Sequence, residues 1–483
     1  MGLDPGLRRL ALGTLLAAYP GPVPPDWAVD LLAEGLAGHT LFGTNVHDPA
    51  QMAATTAALR AGRPDVLVAI DEEGGDVTRL AHATGSPYPG NAALGAVDDP
   101  TLTRQVYAAI GAELAALGIN LDLAPTVDVN TADENPVIGT RSFGADPVRV
   151  AVHSAAAVVG LQSAGVAACA KHFPGHGATV ADSHYELPTV DVPPAVLRQR
   201  DLPPFAAVVD AGVRAVMTAH IRVPALTGDG PATFSRAVLV DLLRTEYGFS
   251  GAVITDALEM KGAASAAGGV GPAAVRALAA GADLLCIGAK VDADLVEHVA
   301  EEIVAALTDG RLDRARVEEA AGRAAELAAS TGAAASATGT PDGLGYAAAL
   351  RAVRVEGDVT GLTAPLVVQV HAASTIAEGR VPWGLGPHLA GAEVVRAVAG
   401  ETDPAELRRL AGERPIVLVG RHLHRLPGAR ELVDALAATH PVTVVEMGWP
   451  GAWRPTGARA FVTTYGASHA NGRAAAQVLG LAG

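Results

Sequence analysis

The feature that most constrains the fold is a repeated alternation of short apolar runs with helix-like stretches. The apolar runs lie at 39–42, 66–70, 119–125, 166–170, 214–218, 251–255 and 283–287. Repeated strand–helix units build parallel sheets through right-handed crossovers. About seven strands come close to the eight of a (β/α)8 barrel. An open doubly wound sheet is the alternative, but polar residues follow nearly every run, which favours a TIM-like (β/α)8 barrel, closed or incomplete.

The length of 483 residues predicts more than one domain. The barrel pattern occupies residues 1–330, and small residues dominate 331–345, which predicts a linker. Strand and helix patterns alternate again in 346–483, which predicts a smaller three-layer α/β sandwich domain. That domain carries no glycine-rich phosphate-binding motif, so we assign it no nucleotide.

Composition excludes several kinds of partner. A formal net charge of -16 argues against nucleic acid and against an anionic membrane surface. The two cysteines, Cys169 and Cys286, lie in apolar runs, which predicts buried reduced thiols and no disulfide framework.

The N-terminal segment needs a separate interpretation. Arg8 and Arg9 precede the apolar run 10–18, which faintly imitates a signal peptide. Because the run is short and Tyr19-Pro20-Gly21 interrupts it, we interpret it as the first helix. No run approaches the roughly eighteen apolar residues of a membrane span, so a cytoplasmic protein is expected.

Polar residues concentrate after the run 166–170. Lys171-His172-Phe173-Pro174-Gly175-His176-Gly177 is followed by Asp182-Ser183-His184. In TIM-barrel enzymes, the catalytic residues lie at the carboxyl ends of the barrel strands. The polar residues expected there are Asp71, Asp122, Asp128, Arg141, Lys171, His172, His176, Asp182, His184, His220 and Asp256. Carboxylates mixed with cationic side chains suit a polyhydroxylated ligand such as a sugar, since each hydroxyl both donates and accepts.

A metal site and a cofactor are not predicted. His172 and His176 are spaced i, i+4, but Pro174 and Gly175 between them prevent a regular helix. Histidines in such a glycine-rich loop can also simply satisfy backbone groups.

Two groups carry the candidate chemistry. Asp256 ends the run 251–255, where a carboxylate can attack an anomeric carbon; a helix N-cap is the alternative. Asp182 can orient His184 as a proton donor, and an Asx-turn is the alternative for Asp182.

The sequence resembles glycoside hydrolase family three, in its β-N-acetylglucosaminidase branch. The resemblance covers roughly residues 8 to 330, and its motifs occur in order. They are Ile70-Asp71-Glu72-Glu73-Gly74-Gly75, Ala124-Pro125 with Asp128-Val129, Arg141-Ser142-Phe143-Gly144, the segments at 171–177 and 182–184, Met217-Thr218-Ala219-His220, and Thr255-Asp256-Ala257-Leu258-Glu259-Met260.

The resemblance implies specific roles. Asp256 would be the nucleophile that forms a covalent glycosyl-enzyme, and His184 with Asp182 would be the acid/base. The residues that would hold the sugar are Asp71, Arg141, Lys171 and His172, with Arg79 and His220 as further contributors. The chain departs from the family pattern at Glu72, where Gln is frequent, at Asp76, where a basic residue is common, and at Ala257, where an acidic or small polar residue is frequent.

The expected activity is that of a retaining exo-β-N-acetylglucosaminidase acting on cell-wall (muropeptide) or chitin-type saccharides. A neutral imidazole does not repel an anionic acceptor, so a phosphorylase that uses inorganic phosphate is an alternative, as is a β-glucosidase. A sugar-binding protein without activity is the alternative outside enzymes.

Overall fold

The computed structural model describes residues 4–288, 291–332 and 343–483. These residues form two compact units. The described residues within Met1–Glu72, Thr103–Pro136 and Ala145–Thr340 make up the first unit, and those within Glu73–Leu102, Val137–Gly144 and Pro341–Gly483 make up the second. Most of the predicted linker 331–345 lies outside the described residues, and the boundaries 1–330 and 346–483 stay predictions.

The first unit contains one parallel sheet, which among the described residues has eight strands. They are β1 Leu15–Ala17, β2 Gly38–Leu41, β3 Leu67–Ile70, β4 Leu121–Asp122, β5 Ala167–Phe173, β6 Ala215–Thr218, β7 Ala252–Thr255 and β8 Leu285–Cys286. Their order is β7-β6-β5-β4-β3-β2-β1-β8. A bridge between Ile254 and Leu284 brings β7 beside β8. The sheet therefore curls into a nearly closed barrel, which confirms the predicted TIM-like (β/α)8 fold.

Helices alternate with these strands and continue into the second unit. The α-helices of the described residues are α1 Pro5–Leu12, α2 Asp26–Glu34, α3 Pro49–Gly62, α4 Asn91–Val97, α5 Pro100–Ala116, α6 Pro147–Ser163, α7 Pro194–Arg200, α8 Pro203–Asp210, α9 Pro224–Thr227, α10 Lys261–Ala267, α11 Val270–Ala280, α12 Ala293–Asp309, α13 Arg314–Ala329, α14 Leu344–Ala352, α15 Pro404–Ala411, α16 Ala429–Ala437 and α17 His469–Val478. A π-helix spans Ala237–Glu246, and short 3₁₀ turns occur at Gly43–Asn45, Gly139–Arg141, Ala232–Phe234 and Gly386–His388. An aspartate followed by proline starts α3, α6 and α15, where the carboxylate caps a backbone N–H and proline presets the first turn.

The barrel interior is filled by alternate residues of the strands. The inward-facing set is Leu16, Ala37, Leu67, Ala69, Leu121, Leu123, Ala167, Cys169, Ala215, Met217, Ala252, Ile254, Leu284 and Cys286. Three residues of α13, namely Ala324, Leu327 and Ala328, join the same cluster. Cys169 and Cys286 are buried free thiols, as predicted.

The interpretation of residues 10–18 as one helix is wrong in part. Helix α1 ends at Leu12, and Leu15–Ala17 forms β1, which pairs with both β2 and β8. All three residues of β1 are buried. A strand buried on both faces shows no alternation of polar and apolar residues, and only Gly13 and Thr14 separate it from the apolar end of α1.

Among its described residues, the second unit contains a six-stranded sheet. Its strands are β9 Arg354–Gly357, β10 Leu366–Val370, β11 Glu393–Ala397, β12 Ile416–Gly420, β13 Val442–Glu446 and β14 Ala460–Thr463, in the order β11-β10-β12-β13-β14-β9. All pairs are parallel except β14 with β9. On one face, Leu366 and Leu418 pack with Leu407 of α15 and Leu432 of α16. On the other, Val367 packs with α17, which confirms the predicted three layers.

The structure also bears on membranes. Among the residues it describes, no helix is both long enough and apolar enough to cross a bilayer.

Candidate active site

The ends of β3 and β5 bring a buried cation and a carboxylate together. Lys171 lies within β5, and its Nζ is 2.7 Å from Oδ1 of Asp71, which directly follows β3. The lysine side chain is only 2% exposed and that of Asp71 17%. A buried ammonium is stable only when it is paired, so the contact fixes the direction of both side chains.

Asp128 is the centre of a second polar group. Its Oδ2 lies 2.7 Å from Nδ1 of His172, and its Oδ1 accepts the backbone N–H of His176 at 2.6 Å. Burial opposes ionisation of Asp128, but its contacts with the two histidines hold the pKa of this carboxyl below its ordinary value. An ionised Asp128 therefore orients His172 through its Nδ1.

The dyad predicted from the sequence is present on the loop after β5. Oδ1 of Asp182 lies 2.6 Å from Nδ1 of His184 and also accepts the backbone N–H of His184 at 2.9 Å. The second contact is an Asx-turn, and the role of His184 as a proton donor stays a prediction. Burial raises the pKa of Asp182, but the hydrogen bonds from His184 outweigh it and the pKa is lowered.

Asp256 follows β7 and is partly buried. Its Oδ1 accepts the N–H of Ala257 at 2.8 Å. It is not a helix N-cap, because α10 begins only at Lys261. Burial favours the neutral acid, but the nearby rings of His220, His172 and His184 lower the pKa of Asp256 below its ordinary value. The carboxylate therefore stays ionised near neutral pH.

His220 is held by the protein at both ring nitrogens. Nδ1 lies 2.7 Å from Oγ1 of Thr233, and Nε2 lies 3.0 Å from the carbonyl oxygen of Ala257. Burial lowers the pKa of His220, and because a carbonyl oxygen only accepts, Nε2–H donates to Ala257. The contact with the carbonyl of Ala257 holds the backbone next to Asp256. A sugar contact by His220 stays a prediction.

Two further carboxyl groups lie at strand ends and received no role from the sequence. Oε2 of Glu259 accepts the N–H of Gly288 at 3.0 Å, which ties the segment after β7 to the end of β8, and burial raises its pKa. Asp122 is fully buried, accepts the N–H of Glu72 at 3.0 Å, and has a pKa well above its ordinary value because of burial. Asp122 is among the polar residues expected at the strand ends and Glu259 lies within the motif 255–260, but the sequence assigns neither a role.

The two predicted arginine ligands belong to the second unit. Arg141 forms a bidentate pair with Glu73, with its Nη2 2.8 Å and its Nε 3.0 Å from the carboxylate oxygens. Arg79 donates from Nη2 to the carbonyl of Ala377 at 2.8 Å. Their roles in holding a sugar stay predictions.

Asp76, which departs from the family pattern, is also explained within the second unit. Its Oδ2 accepts from Oγ1 of Thr140 at 2.7 Å and lies 3.4 Å from Nη2 of Arg421, while its Oδ1 accepts the N–H of Ala467 at 2.8 Å. Nη2 of Arg421 also lies 2.5 Å from Oε1 of Glu378. Asp76 is therefore one of two carboxylates that pair with a buried arginine of the same unit.

The residues described in the structure include no group of three or more His, Cys, Asp or Glu side chains arranged to hold a metal ion. The groups available at the barrel strand ends include an ionised carboxylate, Asp256, and an imidazole–carboxylate pair on a neighbouring loop. Such a set can perform nucleophilic and acid–base catalysis.

Comparison with known proteins finds β-hexosaminidases among the relatives of this chain. A β-hexosaminidase from Chromobacterium violaceum is 39% identical over 283 residues, which are 55% of this chain and 78% of that protein. β-Hexosaminidase A from Pseudoalteromonas piscicida is 35% identical over 330 residues, and this match spans 63% of the chain but only 55% of that protein.

A solved structure matches both units. The glycoside hydrolase family 3 β-N-acetylglucosaminidase from Paenibacillus sp. str. FPU-7 has a TM-score of 0.87 and 33% identity, over 98% of this chain and 96% of that one. The β-glucoside phosphorylase BglX has a TM-score of 0.78 at 17% identity, which shows a shared fold alone.

These similarities and the barrel define the class of enzyme as a glycoside hydrolase. The model of the glycosyl hydrolase family 3 N-terminal domain matches residues 25–327, and the chain belongs to this family.

Proposed function

We propose that the chain is a retaining exo-β-N-acetylglucosaminidase that removes terminal β-linked N-acetylglucosamine by double displacement. The observation that carries the proposal is the position of Asp256, which directly follows β7 with its Oδ1 held by the N–H of Ala257 and its pKa below the ordinary value. A nucleophilic carboxylate must be ionised to attack. The names of the relatives, β-hexosaminidase and β-N-acetylglucosaminidase, support the choice of sugar.

The sugar would be held by groups that are already oriented. Lys171 and Asp71 offer a donor and an acceptor 2.7 Å apart, which suits two neighbouring hydroxyls. His172, oriented by Asp128 through Nδ1, would contact a third. Because these side chains are fixed before binding, little ordering cost remains.

In the first half-reaction, Asp256 attacks the anomeric carbon while the bond to the leaving oxygen breaks. Oδ1 of Asp256 is engaged by the N–H of Ala257, so Oδ2 is the attacking atom. His184 donates the Nε2 proton to the leaving oxygen, since its Nδ1 is occupied by Asp182. The product is a glycosyl ester of Asp256 with an inverted anomeric centre.

In the second half-reaction, His184 is neutral and removes a proton from water as the water oxygen attacks the same carbon. The ester bond to Asp256 breaks and its carboxylate is regenerated. A second inversion restores the β configuration. Inorganic phosphate in place of water would give a sugar 1-phosphate, and this alternative acceptor belongs to the test below.

The test uses an aryl β-N-acetylglucosaminide and the matching glucoside, each with and without inorganic phosphate. Asp256→Ala should lose at least about 10³-fold in kcat, while Asp241→Ala, which removes an exposed carboxylate, should keep full activity. Product analysis by ¹H NMR should show the β anomer of N-acetylglucosamine first. Full activity in Asp256→Ala would reject the mechanism, a first-formed α anomer would reject retention, and a phosphate-dependent rate with sugar 1-phosphate would favour the phosphorylase.

The natural substrates we propose are muropeptide-type cell-wall fragments, as in peptidoglycan recycling, or chitin-type oligosaccharides. Chromatography that monitors the release of N-acetylglucosamine from the non-reducing end of each substrate type distinguishes the two candidates. A cytoplasmic location stays a prediction from the sequence.

A further inference from the structure

Ser183 stands between the two residues of the dyad and is the most buried of the three. It is 2% exposed, whereas the side chains of Asp182 and His184 are 15% and 19% exposed. Its Oγ lies 3.1 Å from Nε2 of His176, and its carbonyl oxygen accepts the N–H of Gly262 at 3.3 Å. The loop is therefore attached on one side to the segment after β5 and on the other to the first turn of α10.

The direction of the side-chain hydrogen bond follows from the neighbours of His176. The hydroxyl of Thr179 donates to the carbonyl of His176 at 3.0 Å, so Nδ1 of His176, 2.7 Å from the same hydroxyl oxygen, is the donor in that contact. Burial lowers the pKa of His176 to about 4, so the ring is neutral near pH 7. Its Nε2 is then an acceptor, and the Ser183 hydroxyl donates to it.

The backbone side of the attachment depends on a close approach at Gly262. A Cβ at this position would lie 3.1 Å from Cβ of His220 and 3.2 Å from the carbonyl oxygen of Glu186. A side chain there would push the start of α10 away from the loop. Glycine therefore allows the Gly262 N–H to reach Ser183.

His176 is itself tied to the sugar-binding side of the site. Its backbone N–H donates to Oδ1 of Asp128, whose Oδ2 orients His172. A single chain of contacts thus runs from His172 through Asp128 and His176 to Ser183.

We propose that Ser183 and His176 are positioning residues that hold the loop so that His184 can donate its proton. The Ser183–His176 and Ser183–Gly262 contacts together form what we call the latch. The proposal rests on the proposed function, because it assigns His184 as the acid. Neither latch residue transfers a proton to substrate. Loss of the latch lowers the fraction of molecules in which His184 is correctly placed.

This role predicts a dependence on the leaving group. Proton donation matters for departure of a sugar or alkyl alcohol, but 2,4-dinitrophenolate leaves without it. The parameter to compare is kcat/KM, which ends with formation of the glycosyl-enzyme and excludes the second half-reaction. A general structural defect would instead lower kcat/KM for both substrates alike.

The experiment compares Ser183→Ala with the wild type on N,N′-diacetylchitobiose and on the 2,4-dinitrophenyl β-N-acetylglucosaminide. One net hydrogen bond is worth roughly a factor of 5 to 10, so kcat/KM should fall about 5- to 10-fold on the disaccharide and less than about 2-fold on the dinitrophenyl substrate. Ser154→Ala is the matched control, because Ser154 is fully buried in α6 and its hydroxyl has no hydrogen-bond partner among the residues that the structure describes. Equal rates of Ser183→Ala and wild type on the disaccharide, or equal losses on both substrates, would overturn the latch.

Hydrogen–deuterium exchange tests the latch without any substrate. Peptides covering 178–187 and the amide of Gly262 should exchange about 5- to 10-fold faster in Ser183→Ala than in the wild type or Ser154→Ala. Unchanged exchange would overturn the proposal. If the wild type cleaves neither substrate, the proposed function fails, and exchange alone decides whether the latch exists.

Discussion

A single carboxylate oxygen of Asp182 holds both the backbone and the ring of His184. Oδ1 accepts the His184 N–H at 2.9 Å and lies 2.6 Å from Nδ1. The turn of the chain and the orientation of the imidazole are therefore fixed by one atom. Substitutions at Asp182 can therefore separate the contribution of this geometry to activity from the contribution of the negative charge.

Asp182→Asn keeps an oxygen that can accept both contacts but removes the negative charge. We expect an intact loop and a decrease in kcat/KM of about 10- to 100-fold for substrates with poor leaving groups. Asp182→Ala removes both contributions and should lose more, with faster amide exchange in 178–187. Wild-type activity in Asp182→Asn would contradict a role for the charge.

Asp128→Asn should destabilise the protein in a pH-dependent manner. The amide cannot accept all the N–H groups that the carboxylate accepts from His172 and His176, so a loss of about 3 kcal/mol is expected at pH 7. Because the pKa of Asp128 is lowered in the folded state, its stabilising contribution is present above the ordinary value of 3.8 and is lost as the pH falls through the lowered pKa. Calorimetry at pH 7 and pH 3 should show the difference in Tm from wild type shrinking at pH 3. A constant difference would argue against an ionised Asp128.

Gly262→Ala should weaken packing between α10 and the loop that carries His184. The added Cβ would meet His220 and Glu186 at 3.1 to 3.2 Å, so we expect a decrease of about 1–2 kcal/mol in the free energy of unfolding and lower activity. Gly322→Ala in α13 is the control, because it is exposed and a Cβ there would meet nothing within 4 Å. That substitution should stabilise the helix by about 0.5–1 kcal/mol. Similar effects of the two substitutions would show that the contact at Gly262 is unimportant.

Arg421→Met should strongly destabilise the second unit. It leaves Asp76 and Glu378, both buried, without their shared cation, and breaking such a group costs about 3–5 kcal/mol. Arg454→Met removes an exposed pair with Glu356 and should cost at most about 1 kcal/mol. Thermal unfolding followed by calorimetry compares the two, and comparable decreases in Tm would be inconsistent with a buried ion-pair group.

The barrel could be predicted because most of its strands are apolar runs separated by amphipathic helices. β1 could not, since its buried residues continue the apolar end of α1. In the second sheet, β9 and β11 are hard to recognise from the sequence for the opposite reason. Both lie at sheet edges, and most of their residues are exposed or partly exposed, so no apolar run marks them.

The sequence predicted which residues belong to the candidate site more fully than it predicted the contacts between them. Spacing alone placed Asp182 beside His184, because a side chain reaches the backbone two residues on by local geometry. The contact between His176 and Ser183 depends on how the loop folds back, and that of Ser183 with Gly262 joins segments far apart in the sequence. Such contacts leave no periodic pattern, so the sequence pointed to the candidate catalytic groups but not to the contacts that hold them.

The division of the chain into two compact units has a consequence for any attempt to separate them. The second unit includes residues 73–102 and 137–144, which precede much of the barrel in the sequence. A fragment beginning at residue 343 would contain Arg421 and Glu378 but would lack Asp76 and Thr140, which pair within the same group. A cut of the polypeptide between 332 and 343 would therefore leave residues 73–102 and 137–144 on the N-terminal fragment, apart from the rest of the second unit.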